Sequence, residues 1–222
     1  MMIDWRAIDT LLLDMDGTLL DLHFDNYFWR EYLPVEYARH YGEEPEQVRE
    51  YLFKLMDETY GTIDWYCLDF WTKKLGLDIV SLKREVDHLI DLRPSAKAFL
   101  EAAHRSHLKV YLITNAHHDA LDLKLEKASI SHYFDELISS HQFGYIKEQQ
   151  EFWHTLTEHL NFDKSKALFI DDSRAVLDSA KTFGIGHILE VSMPDSKAPA
   201  RDSSPYPLLH DFSDIMPELN DD

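Results

Sequence analysis

Short, uninterrupted apolar runs occur at Thr10 to Leu13, Lys109 to Ile113, Glu136 to Ile138, Ala167 to Ile170 and His187 to Val191. Runs this short without polar alternation predict strands buried on both faces, as in a parallel sheet. Helical periodicity separates the later ones, at Pro94 to His104, Ala120 to Lys127, Gln150 to Leu160 and Ala175 to Phe183. Pro94 suits a first helical position and Gly184 a helix stop. Strand and helix alternate, which predicts an α/β, Rossmann-like core: a mostly parallel sheet flanked by helices.

A stretch of different character lies between the first strand and the rest. From Leu22 to Leu92 no strand is evident, and amphipathic helical patterns run over Tyr27 to Arg39, Pro45 to Thr59, Trp65 to Leu75 and Leu82 to Asp91, punctuated by Gly42, Gly61 and Gly76. The expected organisation is a core of residues 1–21 and 93–222 with an inserted α-helical cap domain of residues 22–92, seated over the carboxyl ends of the strands. Met193 to Pro207 is rich in Pro, Ser, Asp and Lys and reads as a surface loop; the acidic last residues read as a mobile tail.

Composition narrows the classes. Hydrophobic residues make up 45% of 222, enough to build a core. No apolar run approaches the roughly 20 residues of a membrane span, and Met1-Met2-Ile3-Asp4-Trp5 lacks the regions of a signal peptide, so a cytoplasmic protein is expected. Cys67 is the sole cysteine, which excludes an internal disulfide and reads as a small, half-buried apolar residue. The net charge of −19 argues against a nucleic-acid polymer or an anionic membrane as partner. It admits a small anionic substrate only if a metal or a lysine supplies local positive charge.

Polar residues at the strand ends carry the candidate chemistry. Leu11-Leu12-Leu13 runs into Asp14-Met15-Asp16-Gly17-Thr18, Ile113 into Thr114-Asn115, and Leu168-Phe169-Ile170 into Asp171-Asp172-Ser173; Lys147 opens a later helix. Taken singly, these read as turns and helix caps. Converging in the crevice beyond the strands' carboxyl ends, they form a pocket of carboxylates that repel one another unless a divalent cation sits among them. A hard, oxygen-rich site suits magnesium (Mg2+), and magnesium with a lysine is what a phosphoryl group requires.

The four motifs, in order, resemble those of the haloacid dehalogenase superfamily phosphatases: Asp14-Met15-Asp16-Gly17-Thr18, Thr114, Lys147 and Asp171-Asp172. Phe24-Asp25-Asn26-Tyr27-Phe28-Trp29, Trp65-Tyr66-Cys67-Leu68-Asp69, Thr114-Asn115-Ala116-His117 and Phe143-Gly144-Tyr145 resemble a bacterial subgroup that hydrolyses GMP and IMP. One departure is Glu148, where a proline commonly follows the motif lysine. The resemblance implies that Asp14 attacks phosphorus to form an aspartyl-phosphate and that Asp16 transfers the proton. It implies that Thr114, Asn115 and Lys147 hold the phosphate, and that Asp14, the Asp16 carbonyl and Asp172 hold magnesium, with Asp171 further out. The expected activity is a 5′-nucleotidase for purine nucleoside monophosphates; phosphatases of small phosphorylated metabolites, a phosphomutase and a non-catalytic binding protein remain alternatives. A monomer or weak homodimer is expected.

Phe24, Tyr27, Phe28, Trp29, Trp65, Tyr66, Phe70 and Trp71 form an aromatic set on which a purine could stack, although most such residues build the core of a small helical domain. His117, His118 and Arg93 are further candidates at the pocket mouth.

Overall fold

The computed structural model describes residues 3–217, so the acidic tail expected to be mobile lies outside the described residues. The elements, in chain order, are β1 (Thr10–Leu13), α1 (His23–Tyr27), α2 (Leu33–Tyr41), α3 (Pro45–Thr59), α4 (Ile63–Tyr66), α5 (Leu68–Leu75), α6 (Ile79–Glu85) and α7 (Ala96–His104). They continue with β2 (Lys109–Thr114), α8 (His118–Ala128), β3 (Glu136–Ser139), α9 (Gln150–Leu160), β4 (Ala167–Asp171), α10 (Arg174–Phe183), β5 (His187–Val191) and β6 (Leu208–Leu209). The strands form one sheet in the order β3-β2-β1-β4-β5-β6, parallel throughout.

Side chains alternate across a strand, and the core divides accordingly. Leu11, Leu13, Val110, Leu112, Leu168 and Ile170 pack on one face with Phe99 and Leu100 of α7 and Leu121 of α8. Leu12, Ile113 and Phe169 pack on the other with Phe152 and Trp153 of α9 and Leu177 of α10. Leu11, Leu12 and Leu13 are wholly buried, each contributing about 1.5–3 kcal/mol of transfer free energy. The helices between β1 and β2 extend the first of these cores through Phe24, Phe28, Leu52 and Trp71.

Strand order reverses at β1, with β2 on one side and β4 on the other. Such a switch point opens a crevice beyond the carboxyl ends of the strands. Leu13 is level with Ile170, so Asp14 and Asp171 emerge side by side, and the Asp14 N–H donates to the Ile170 carbonyl at 3.0 Å.

Several boundaries differ from those expected. The α7 helix begins at Ala96 rather than Pro94, because Ser95 adopts a left-handed conformation (φ 60°) that breaks the turn before it. Helical structure runs from residue 23 to 41 without a gap, but Phe28–Tyr32 forms a wide π turn; Pro34 follows, and its missing N–H suits a loosened preceding turn. The expected helix Trp65 to Leu75 is two, parted at Cys67, whose Sγ accepts from the Phe70 N–H at 3.4 Å and caps α5. The expected helix Leu82 to Asp91 starts earlier, at Ile79, because Asp78 caps it through the Ser81 N–H, and gives way to a short 3-10 turn at Asp87–Leu89. The β6 strand is too short to show a period in sequence.

The stretch Met193 to Pro207 is a loop, but its inner side is built into the fold. Glu190 is fully buried on β5 and demands partners, which Arg174, Arg201 and Ser204 supply. Met193 accepts a hydrogen bond from Arg93, and Asp195 one from Asn26 at 2.7 Å. No helix among the described residues is long and apolar enough to cross a membrane.

Candidate active site

Asp14 is the first residue beyond β1. Its Oδ1 accepts from the Lys147 ammonium at 2.6 Å, and its Oδ2 is buried with no partner. Burial raises its pKa to about 6 despite the opposing Lys147 charge. The chain then turns tightly, with the Met15 carbonyl accepting from Leu19 and Leu20 at 2.9 Å. Gly17 makes this possible: its φ is +83°, and a Cβ there would lie 2.8 Å from Cγ of Asp172.

Lys147 is almost wholly buried and is shared with Asp171 Oδ2 at 2.7 Å. Burial disfavours its charge, yet Asp14 and Asp171 outweigh that and raise its pKa. Its backbone is fixed as well: the N–H donates to Asn115 Oδ1 at 2.9 Å, and its carbonyl accepts from the Trp153 indole at 2.8 Å. Asn115 gives its amide N–H to Glu148 Oε2 at 2.9 Å, and Tyr66 donates to Glu148 Oε1 at 3.0 Å. The Asn115 side chain therefore holds the lysine loop, and Glu148 ties that loop to α4. Thr114 is buried at the end of β2, its hydroxyl accepting from the Ala116 N–H at 3.0 Å.

Both Asp171 oxygens are committed, Oδ2 to Lys147 and Oδ1 to the Ser173 N–H at 2.7 Å. Asp172 faces Gly17, and burial, then Asp171 and Asp14, push its pKa well up. Asp14, Asp171 and Asp172 each offer an oxygen within 4.8 Å of the others. Three carboxylates beside one ammonium leave a formal charge of −2, which one divalent cation cancels. The unpartnered Asp14 Oδ2 and the hard oxygen donors fit magnesium.

Asp16 points the other way. Its Oδ1 accepts from Lys124 at 2.6 Å, Lys124 also donates to Asp25 Oδ2 at 2.7 Å, and Asp25 Oδ1 accepts from Lys83 at 2.7 Å. Burial raises the Asp16 pKa to about 6 against the Lys124 charge. Burial likewise opposes the Asp25 charge, but Lys124 and Lys83 win and hold that carboxyl far below its ordinary range.

This row of charges borders a cavity of about 450 Å³, within the range of small-molecule sites. Asp16, Ala116, Ala120 and Lys124 line the sheet side; Trp29, Trp65, Tyr66 and Trp71 line the side of residues 22–92. Phe24 and Phe28 are core residues, and Tyr27 and Phe70 pack against that core. Arg93 is buried and bound to the Met193 carbonyl. His117 and His118 gather around His141, with ring centroids 5.1 and 6.3 Å from it.

Sequence reasoning missed Lys124, Lys83 and Asp25. A signal existed for the lysines: Lys124 falls on the apolar stripe of Leu121 and Leu125, and Lys83 lies one turn after Ile79. A lysine on a buried stripe needs an acid beside it.

The haloacid dehalogenase-like hydrolase family matches residues 8–184. The chain is 42% identical over 217 residues to the GMP/IMP nucleotidase YrfG of Escherichia coli, covering 98% of each protein. It is 28% identical over 205 residues to a phosphorylated carbohydrates phosphatase of Thermotoga maritima, covering 86% of this chain and 89% of that protein. In fold it is similar to a HAD phosphatase from Thermococcus onnurineus, with a TM-score of 0.77 at 20% identity over 93% of this chain and 95% of that one.

Proposed function

Because the chain belongs to the haloacid dehalogenase-like hydrolases and is a phosphatase, we propose that it is a magnesium-dependent, cytoplasmic 5′-nucleotidase for purine nucleoside monophosphates such as GMP and IMP. The supporting observation is the aromatic cavity lined by Asp16, which stands two residues after Asp14 on the turn that leaves β1. Residues 22–92 act as the cap that selects the substrate; residues 1–21 and 93–222 are the catalytic core.

Asp14 is the nucleophile. Lys147 occupies one oxygen and leaves the other unpartnered, and a carboxylate has about four lone-pair sites. A bond forms between Asp14 and phosphorus as the bond from phosphorus to O5′ breaks, giving an aspartyl-phosphate. Asp16 gives its proton to the departing O5′; with Oδ1 anchored on Lys124, its other oxygen is available, and a pKa near 6 keeps a proton within reach at neutral pH. Water then attacks phosphorus, returns a proton to Asp16, and releases phosphate and Asp14. Lys147 neutralises Asp14 and the phosphoryl oxygens, Thr114 holds the phosphate, and Asn115 supports both by fixing the lysine loop. Asp14, the Asp16 carbonyl and Asp172 would hold magnesium, with Asp171 outside them. When bound, the ion supplies the positive charge that a phosphoryl group in an acidic pocket needs.

The test is a panel of monophosphates assayed with magnesium and with chelator. GMP and IMP should exceed sugar phosphates in kcat/KM, chelator should stop turnover, and Asp14→Asn should abolish it while retaining the fold. Sugar phosphates in the lead would select the carbohydrate-phosphatase reading, which the Thermotoga relative favours. Substantial turnover by Asp14→Asn would overturn the covalent route.

A further inference from the structure

Three side chains outside the phosphoryl-transfer site converge from three separate elements. Cys67 joins α4 to α5, His117 precedes α8, and His141 lies in the turn after β3. One donor atom of each lies within 4.8 Å of the other two. Two of their nitrogens, His117 Nδ1 and His141 Nε2, are buried without a hydrogen-bond partner. Buried imidazoles are normally satisfied, so two nitrogens without a hydrogen bond, on rings clustered with a thiol, require an explanation. Hydrogen bonding within the cluster does not supply it, because neither nitrogen finds a partner there, although the two rings are in contact at 5.1 Å.

We propose that Cys67, His117 and His141 form a site for a borderline-soft transition-metal ion of the zinc(II) class, separate from the magnesium site. One sulfur and two imidazole nitrogens are the donors such ions select, whereas Asp14, Asp171 and Asp172 offer only hard oxygens. Metal–sulfur and metal–nitrogen bonds of about 2.3 and 2.0–2.1 Å set tetrahedral donors roughly 3.3–3.6 Å apart. With all three donors within 4.8 Å of one another, the closure needed is at most about 1–1.5 Å, which side-chain rotation provides. The fourth position is left to water.

The surroundings fit a ligating histidine. Nε2 of His117 lies 3.8 Å from Asp69 Oδ2, and Nδ1 lies 3.5 Å from Asp119 Oδ2. Whichever nitrogen binds the ion, the other faces a carboxylate that can orient the ring. His141 stays neutral at physiological pH because burial, then His117 and His118, lower its pKa to about 4. Cys67 belongs to residues 22–92, and both histidines belong to the sheet domain. A bound ion would therefore pin the helical insertion to the sheet beside the cavity.

Cobalt(II), titrated into the intact, magnesium-loaded protein, is the spectroscopic probe. One equivalent should produce a thiolate-to-cobalt charge-transfer band and the visible absorption of a tetrahedral ion, and zinc(II) should displace it. Cys67→Ser should lose the charge-transfer band. His141→Ala should weaken cobalt binding by more than the ~10–100-fold that outer-sphere changes cost. Zinc should raise the Tm of the wild type but not of Cys67→Ser, a comparison that also verifies that the variant folds. Absence of the charge-transfer band, its survival in Cys67→Ser, or cobalt binding displaced by magnesium would each overturn the site.

Discussion

Replacing Asp14 by Asn should make the metal-free protein more stable at neutral pH, although it removes the residue assigned the central chemical role. Asp14, Asp171 and Asp172 crowd one lysine in a buried pocket. Burial raises the Asp14 pKa from 3.8 to about 6, so the folded chain holds a proton that the unfolded chain releases. Between those pH values the native state binds more protons, and stability falls as pH rises. The shift corresponds to about 3 kcal/mol at neutral pH and vanishes below pH ~4. Asparagine carries no such cost, and Lys147 keeps Asp171 as its partner. At this chain length 3 kcal/mol corresponds to roughly 6–12 °C in Tm. Groups that Asp14 does not perturb, such as His141 and Asp25, cancel in the comparison. Asp16 and Asp172, whose pKa values burial raises and Asp14 raises further, are relieved in the variant and shift the gap in the same direction. Thermal unfolding in chelator at pH 4.5 and 7.5 provides the assay. The stability gap in favour of Asp14→Asn should open as pH rises, and saturating magnesium should reverse it by binding the wild type more tightly. A variant less stable than the wild type in chelator at pH 7.5, or a gap independent of pH, would refute the reasoning.

Lys124→Met leaves Asp16 without its buried partner, and unpairing a buried charge costs about 3–5 kcal/mol. Its turnover of nucleoside monophosphates should fall much further than its turnover of p-nitrophenyl phosphate, whose leaving group needs no proton; general acid catalysis contributes about 10²–10⁴-fold. Equal losses on both substrates would remove Lys124 from the proton-transfer machinery. Gly17→Ala forces a Cβ to within 2.8 Å of Asp172 Cγ at a φ that costs about 1–3 kcal/mol. Calorimetry should find weaker magnesium binding, and an unchanged affinity would separate Asp172 from the ion.

The sheet was legible because its strands are short apolar runs with no polar alternation. Leu11 to Leu13 and Leu168 to Ile170 could be placed before any geometry was available. What escaped depends on neighbours far away in sequence. Cys67 breaks a helix because its sulfur caps the next one, and Pro34 follows a π turn that no period reveals. Lys124 and Lys83 sit on helical apolar stripes that mark them as buried, but only the fold shows that Asp16 and Asp25 are the acids they meet. The arrangement of acids around Lys147 was foreshadowed by motif order, while the anchoring of its loop by Asn115 and Glu148 was not. Aromatic residues were ambiguous for a plain reason: core and cavity wall demand the same side chains, and Phe28 and Trp29, adjacent in sequence, serve one each.

The row of charges above the cavity has a mechanical consequence. Asp25 and Lys83 both belong to the helical insertion; Asp16 and Lys124 both belong to the sheet domain. Each half is an electrically complete couple, joined to the other by the single bond from Lys124 to Asp25. Within this buried row the seam can part like a snap fastener, giving up one link and leaving each side with its own couple intact. The pairs it would unmake besides, Arg84 with Glu126 and Lys127 with Asp87, lie where water can take over their charges.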